Sequence, residues 1–335
     1  MPKTLTLTEA YDLACSIFEK SGINKNSARI LGRRIQDAER QGPASHGFAM
    51  LPNYVSSVRS GWANGDAHPH WEKLSPSVLS VDGDNGFAPI ALSACDEEFR
   101  EMVRHSGIAS LCIFNAHHIA ALRSDVEPFA DEGLVAITCI TTRCWMAPWG
   151  GDNKMLGTNP MAFACPRKGK PPIVWDQASS VIAISDVRMA AERGESFDRL
   201  VGIDPDGRAT NDAALAMENQ TMLPFGEHKG TAIALMIEVL AGALTKGRFS
   251  FEDMSPQTSG AASANGGQML IGIDPSVLYG EGFAERLEPL LAAFESNSPA
   301  RIPGDGRFAR QTKAENEGVG VSDDLWNKLQ ALLTV

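Results

Sequence analysis

The residue types best suited to chemistry stand at the ends of apolar runs. Ser45-His46-Gly47 precedes a helical pattern of Phe48, Leu51, Tyr54, Val55 and Val58. The His46 imidazole is therefore expected to be exposed at a helix N-terminus, where the positive end of the dipole lowers its pKa. Such a group can pass a proton near neutral pH; the other reading is a capping or surface histidine. His117 and His118 invite a metal reading, but neighbours on an extended chain point to opposite faces, which favours a hydrogen-bonding role. Cys139 and Cys144 are the one close pair among six cysteines. With no second pair to complete a zinc site, no metal is expected.

Two stretches suit an anion. Gly226, His228 and Lys229 stand where a helix over 231–244 begins, with free N–H groups; a plain glycine-lined helix start is the alternative. Arg301 to Arg307 is a basic turn. No GxGxxG motif follows a strand and no P-loop is present, so a nucleotide would have to be held another way. Trp145 and Trp149 are either core or a pocket wall. Glu238, inside the apolar helix, needs a partner if buried.

These residues must be positioned by the stretch 111–166, which reads as strand, histidine turn, helix, strand, loop, strand. Polar loops on strand ends are where a scaffold usually presents chemistry. Upstream, Thr6 and Glu9 have capping-box spacing for a first helix, and a second helix runs over 25–41 to Gly42. The helix over 231–244 is apolar nearly all round and so is expected to be buried. The Ser-, Ala- and Gly-rich stretch 258–267 is expected to be a mobile surface loop before a strand at 269–273. Amphipathic helices are expected over 280–294 and 322–333.

At 335 residues the chain has room for two or three packed units. Thirty Lys and Arg against 41 Asp and Glu give −11, which argues against nucleic acid or an anionic membrane as partner. Scattered cysteines inside apolar runs suit a reducing compartment, and MPKTLTLTEA lacks the apolar core of a signal peptide, so a cytoplasmic protein is expected.

Ser45-His46-Gly47, NAHHIAAL (115–122), GTNP (157–160), LPFGEHKG (223–230) and RIPGDGR (301–307), in this order over nearly the whole chain, resemble the malate/L-lactate dehydrogenase family. These are NAD(P)-dependent oxidoreductases without a Rossmann fold. Within the family, SDVEPFADEGLVA (124–136) and ISDVRMAAERG (184–194) look most like Δ1-piperideine-2-carboxylate/Δ1-pyrroline-2-carboxylate reductases. The resemblance implies an α/β protein with a central, largely antiparallel NADP-binding sheet domain over 76–280. A helical domain over 1–75 would be completed by C-terminal helices within 281–335, and the protein would be a homodimer.

The resemblance further implies NADPH as cofactor, with NADH the other possibility. Its contacts would fall on His118, Ile119, Ala120, Ala121, Leu122, Asp176, Gln177, Ala178, His228, Lys229 and the segment 302–308, which includes Gly304, Asp305, Gly306 and Arg307. Thr158 would touch substrate. Ser45, His46 and Asp186 would form the catalytic group, with His46 as proton donor. The implied reaction is reduction of a cyclic 2-imino acid to L-proline or L-pipecolate. Rival readings are a 2-oxoacid reductase yielding a 2-hydroxy acid, and a relative that binds nucleotide without turnover.

Two residues depart from the pattern. Met50 stands where the family places an arginine for the substrate carboxylate, and a thioether cannot form that two-pronged ion pair. Arg143, at a strand end, is the expected substitute. Glu227 stands where LPFGGHKG has glycine, which puts negative charge near the expected phosphate site.

Overall fold

The computed structural model describes residues 3–42, 46–297 and 299–334. Strand β1 (Lys3–Leu5) leads into helix α1 (Leu7–Lys20), where the expected capping box closes: Glu9 N donates to Thr6 Oγ1 at 3.2 Å and Thr6 N to Glu9 Oε2 at 2.8 Å. Helix α2 (Lys25–Gln41) is capped by Asn24 and stopped by Gly42 in the left-handed region. A 3-10 turn over Phe48–Met50 leads directly into α3 (Leu51–Arg59). Ala10, Ala14, Ile17 and Phe18 pack with Leu31, Ile35, Ala38, Leu51 and Val55 in one core. Ala314, Val319, Val321 and Leu329 complete this core from the far end of the chain.

The sheet begins with β2 (His70–Ser75) and β3 (Val78–Phe87), then α4 (Ala88–Ser106), β4 (Ile108–His117), α5 (Glu127–Asp131) and β5 (Val135–Ile140). A small pair, β6 (Cys144–Met146) and β7 (Leu156–Gly157), precedes the hairpin β8 (Met161–Arg167) and β9 (Lys170–Gln177). A lobe follows, made of α6 (Ile184–Glu192), β10 (Gly202–Ile203), β11 (Ala209–Thr210) and α7 (Ala213–Asn219). Next come α8 (His228–Ile237), β12 (Asn265–Ile273), α9 (Pro275–Leu278), α10 (Phe283–Ser296), α11 (Asp305–Glu317), β13 (Val319–Val321) and α12 (Asp323–Leu333). Ser322 caps α12 through Leu325 N, as its sequence suggests.

The seven-stranded sheet has the order β2-β3-β4-β12-β5-β8-β9, with β3 and β4 parallel and every other pair antiparallel. Alternation along the central strands explains the layers. Leu111, Ile113, Ala136, Ile140 and Leu270 face the core that holds Phe99, Val103 and Phe129 of α4 and α5. Cys112, Cys139 and Met269 face the other way, onto Ile237 and Ala241. A third core, with Val187, Ala190, Ala213, Ala216 and Ala234, holds the α6–α7 lobe.

Several expectations are corrected. Residues 258–267 are no simple surface loop: Ser263 and Asn265 are buried, and Asn265 Nδ2 donates to Asn115 Oδ1 at 3.1 Å. β12 starts here because Gly266 and Gly267 leave room for Thr141 and the Ala241 carbonyl to come close. The helix over 231–244 is not buried all round, since Leu235, Met236, Val239 and Leu244 are exposed; apolar composition alone cannot say what covers a face. Residues 70–75 form the sheet's edge strand rather than part of the helical layer. Helix α10 lies against the β8–β9 hairpin, with Glu288 3.1 Å from Arg167. Helix α11 was not foreseen beyond its basic first turn.

Beyond α8 the chain winds more widely, as a π-type turn over Glu238–Ala243, and the buried Glu238 finds its partner there. Its Oε1 accepts from Asn159 Nδ2 at 2.7 Å and its Oε2 from Ser250 N at 3.0 Å. The structural reading of Glu238 therefore stands. Truncating it leaves the Asn159 amide without that acceptor, a loss of roughly 1–3 kcal/mol. Glu238→Ala should lower the urea midpoint without changing the slope; an unchanged midpoint would mean that the bond contributes nothing.

His117 is likewise structural. Its Nε2 lies 3.1 Å from Asn85 Oδ1 and its Nδ1 3.0 Å from Ser263 Oγ. Burial pushes its pKa down to about 4. Above the unfolded value of about 6.5 the ring is neutral in both states; as pH falls through 6.5 toward 4, only the unfolded chain takes the proton and stability is lost. The full loss is on the order of 3 kcal/mol. His117→Gln should flatten the fall in unfolding free energy between pH 6.5 and 4.5, read by urea titration against the parent.

Candidate active site

A cavity of about 1040 Å³ opens where the helical layer, the ends of β5 and β9, and α6 meet. His46, Met50 and Tyr54 line it from one side, Thr142, Arg143 and Trp145 from another, and Asp176, Asp186 and Arg188 from a third. Ser45 lies outside the described residues. The chain just after His46 is pinned from α2: Phe48 N donates to Glu39 Oε1 at 2.6 Å. Gly47 sits so close that a Cβ there would overlap the same carboxylate. Burial lifts the Glu39 pKa to about 7, with the Phe48 hydrogen bond opposing it.

His46 is partly buried. Burial lowers its pKa; the Asp176 carboxylate works against this, the Arg123 guanidinium reinforces it, and the Asp186 carboxylate again opposes it. The expected direction holds, but its cause is lost solvent rather than a helix dipole. His46 and Asp186, 140 residues apart in sequence, thus line the same cavity, and the Asp186 charge acts on the His46 ring.

His118, Ala120 and Leu122 line the cavity, while Ile119 and Ala121 are buried behind it. Ala120 holds the left-handed conformation (φ 63°), fixed by its N–H donating to Tyr54 Oη at 3.1 Å. Its carbonyl lies 3.1 Å from His118 Nε2. Asp176, Gln177 and Ala178 also line the cavity. Asp176 Oδ2 accepts from Arg123 Nη1 at 3.2 Å, and Arg123 Nε donates to Gln41 Oε1. Gln41 in turn donates to Glu127 at 3.1 Å, and Arg307 pairs with the same carboxylate oxygen at 2.5 Å.

Two buried guanidiniums therefore stand in one network. Arg123 Nη2 and Arg307 Nε and Nη2 have no hydrogen-bond partner among the described residues. Buried donors of fixed positive charge without acceptors suit the phosphate oxygens of a dinucleotide. The residues present fit such a cofactor. His228 and Lys229, at the start of α8, are exposed and outside the cavity wall. Gly304, Asp305 and Gly306 also lie outside the wall, beside β9: a Cβ on Gly304 would overlap the Val174 carbonyl. Glu227, the departure from glycine, adopts φ 63° and ψ −121°, a conformation that suits glycine.

On the substrate side, Thr158 Oγ1 lies 3.4 Å from Thr142 Oγ1, and both line the cavity. Met50 lines it with a thioether. Arg143 also lines it, 3.5 Å from the Asp253 carboxylate, with its guanidinium 5.0 Å from the Trp145 ring. Burial lowers the Arg143 pKa, with Asp253 opposing. Trp145 is a pocket wall; Trp149 is half exposed and is not. Sequence reasoning missed Arg123, Arg188, Glu39 and the 261–264 lining. Arg123, directly after IAAL, was open to suspicion; the others carry no local signal. Among the described residues no group of three or more His, Cys, Asp or Glu is placed to hold a metal.

The malate/L-lactate dehydrogenase family matches residues 5–330. The chain is 40% identical over 326 residues to a Δ1-pyrroline-2-carboxylate/Δ1-piperideine-2-carboxylate reductase of Pseudomonas putida, covering 97% of this chain and 96% of that one. It is 35% identical over 317 residues to a (2R)-3-sulfolactate dehydrogenase (NADP(+)) of Chromohalobacter salexigens, covering 94% of each. Among solved structures, the Δ1-piperideine-2-carboxylate reductase of Pseudomonas syringae pv. tomato superposes with a TM-score of 0.95 at 38% identity, covering 98% of this chain and 99% of that one. A family match over nearly the full length, together with a mixed α/β fold that superposes on one of these enzymes, makes this chain a member of the malate/L-lactate dehydrogenase family, an oxidoreductase.

Proposed function

We propose that the protein reduces a cyclic 2-imino acid, Δ1-pyrroline-2-carboxylate or Δ1-piperideine-2-carboxylate, to L-proline or L-pipecolate with NADPH, on a non-Rossmann scaffold. The names of its relatives support the substrate class. The observation that carries the reading is the meeting of His46 and Asp186 in one cavity beside the Arg123–Asp176 pair. The cofactor would be held by His118, Ala120 and Leu122, by Asp176 to Ala178 and by the Arg123 and Arg307 donors. Segment 304–306, His228 and Lys229 would contribute at its outer end. When bound, the reduced nicotinamide supplies a hydride to the imine carbon.

His46 supplies the proton that the ring nitrogen takes as its carbon is reduced, and Asp186 stabilises the charged imidazole before transfer. Thr158 and Thr142 hold the substrate from the facing strand ends. Trp145 and Met50 exclude water from the reacting atoms. A second reading, reduction of a 2-oxo acid to a 2-hydroxy acid, is favoured by the sulfolactate dehydrogenase relative, because the same proton can go to oxygen. Following NADPH absorbance with pyrroline-2-carboxylate, piperideine-2-carboxylate, pyruvate and oxaloacetate separates the two. Failure with all four, with NADPH still bound, would leave a nucleotide-binding protein without this activity.

His46→Ala should cut kcat by ~10²–10⁴ while sparing NADPH affinity. Since the donor must start protonated and burial holds its pKa below the usual ~6.5, reductive kcat/KM should fall as pH rises through that lowered value. Removing the Asp186 charge disfavours the imidazolium, so Asp186→Asn should move the midpoint further down. A midpoint that stays put would remove Asp186 from this role.

We further propose that a second copy covers the exposed apolar face of Leu235, Met236, Val239 and Leu244. His228 and Lys229 stand at the head of this face, on the first turn of α8. Leu235→Glu with Val239→Glu should halve the mass measured by light scattering; an unchanged mass would place the contact elsewhere.

A further inference from the structure

The cavity is lined by three guanidiniums, those of Arg123, Arg143 and Arg188. Their commitments differ. Arg123 is 3.2 Å from Asp176 and also bonds Gln41. Arg143 forms an ion pair with Asp253 at 3.5 Å, so its charge has a counter-ion although its Nε makes no hydrogen bond among the described residues. Arg188 makes no hydrogen bond or ion pair to any described residue. Its one polar-type contact is the indole face of Trp145, 5.7 Å from the guanidinium carbon.

Arg188 belongs to α6, where the buried Val187 anchors the helix in the third core. Asp186 and Arg188 flank Val187 and both reach the cavity. On a helix they are separated by about 3 Å along the axis. In a 2-imino or 2-oxo acid the carboxylate is bonded to the carbon being reduced. Whatever grips that carboxylate must therefore reach the same cavity as the proton-transfer groups, and Arg188 does so: it and Asp186 both line it, although residues two apart on a helix do not face each other.

The opposite wall cannot serve. Met50 offers no charge, and Asn53 Nδ2 already points to its sulfur at 3.8 Å. A partly buried guanidinium with five donors and no carboxylate partner is an incomplete arrangement that an incoming carboxylate completes. The Trp145 ring, 5.7 Å from the guanidinium carbon, offers a cation–π contact that leaves the N–H donors open to an acceptor.

We propose that Arg188, lying on Trp145, is the residue that holds the substrate carboxylate, with Arg143 kept behind it by Asp253. The proposal rests on the reading that the substrate is a 2-imino or 2-oxo acid. It assigns the carboxylate to α6 rather than to the helix that carries His46. It also makes the acid-binding and proton-handling residues neighbours on one helical turn.

The test compares the parent protein with Arg188→Gln, Arg188→Lys and Arg143→Gln. Loss of a charge-assisted hydrogen-bonded pair should raise KM for pyrroline-2-carboxylate about 10–100-fold in Arg188→Gln. Arg188→Lys should recover part of this, Arg143→Gln should change KM less than Arg188→Gln, and NADPH affinity should be unchanged throughout. With 1-pyrroline, which lacks the carboxylate, the parent and Arg188→Gln should have equal kcat/KM. That equality is one that a merely structural arginine would not produce.

A KM within twofold of the parent in Arg188→Gln overturns the proposal, as does an equal loss with 1-pyrroline. If the parent turns over no imino or oxo acid, the functional reading fails by itself. The arginine is then tested by calorimetry with pyrrole-2-carboxylate, a planar carboxylate that cannot be reduced, in the presence of NADPH. Weaker binding to Arg188→Gln supports the assignment, and equal binding overturns it.

Discussion

The Asn159 side chain is the joint on which the cavity depends. It is fully buried and bonded on both ends: Oδ1 accepts from Thr142 N at 3.1 Å and Ser250 Oγ at 3.2 Å, while Nδ2 donates to Glu238 Oε1 and to Ala234 O at 3.2 Å. Its carbonyl accepts from Ser179 Oγ at 2.8 Å. The side-chain amide and main-chain carbonyl of Asn159 together tie the end of β5, the turn into β8, the end of β9 and the helix that continues from α8. The first three carry residues of the wall: Thr142 and Arg143, Thr158, and Asp176 to Ala178. A buried amide with every polar atom satisfied is rigid because any shift strands a donor or acceptor away from water. The widened turn at Glu238 follows from this joint, since its carboxylate must reach both Asn159 and Ser250.

Charge is handled differently on the two sides of the cavity. Toward the expected cofactor, Arg123 is buried with a nitrogen left over, anchored by Asp176, while Arg307, behind the cavity wall, is held by Glu127. Carboxylates that hold a guanidinium by one edge leave its other edge directed at a ligand. Toward the substrate, carboxylates are kept back: Asp253 neutralises Arg143, and Asp186 faces His46 instead of Arg188. Burial lowers the His46 pKa most; Asp176 and Asp186 work against this and Arg123 reinforces it, so the ring also registers charge from both sides of the cavity.

What the sequence made legible divides by the range of the interaction. Capping pairs such as Thr6 with Glu9 and stops such as Gly42 are local, and both were read correctly. So were the central strands, which show as short apolar runs that stop at polar residues, because both of their faces are buried. The segment 258–267 misled because Ser, Ala and Gly mark both a loop and a place where backbones pack closely; Gly267 under the Ala241 carbonyl is the second kind. The apolar run of α8 misled for a related reason, as composition does not distinguish a core from an outward face. Among site residues, His46, Asp186, Thr158, Arg143 and His118 do share the cavity. Arg188 was invisible in the sequence, because its significance lies in the absence of a counter-ion, which only the folded neighbourhood reveals.

Met50 shows how such a scaffold can change its hold on a substrate without losing its chemistry. It packs against the helical core, and Tyr54, one turn further on, fixes Ala120 through its hydroxyl. The helix that follows His46 is thereby tied into the helical layer and the cofactor side by contacts that need no cation at residue 50. In the proposed reaction proton transfer would depend on His46 and Asp186, which contacts from α2 and the helix α6 position separately. Carboxylate capture is thus separable from catalysis, and any guanidinium that reaches the same carbon from another wall can supply it. A cation on α6 does so beside Asp186, so the substrate's acid group would turn toward the lobe built from α6 and α7, whose Met217 and Gln220 also line the cavity. The breadth of acids accepted would then be decided by that lobe, whose core also holds Ala234, the residue whose carbonyl accepts from Asn159.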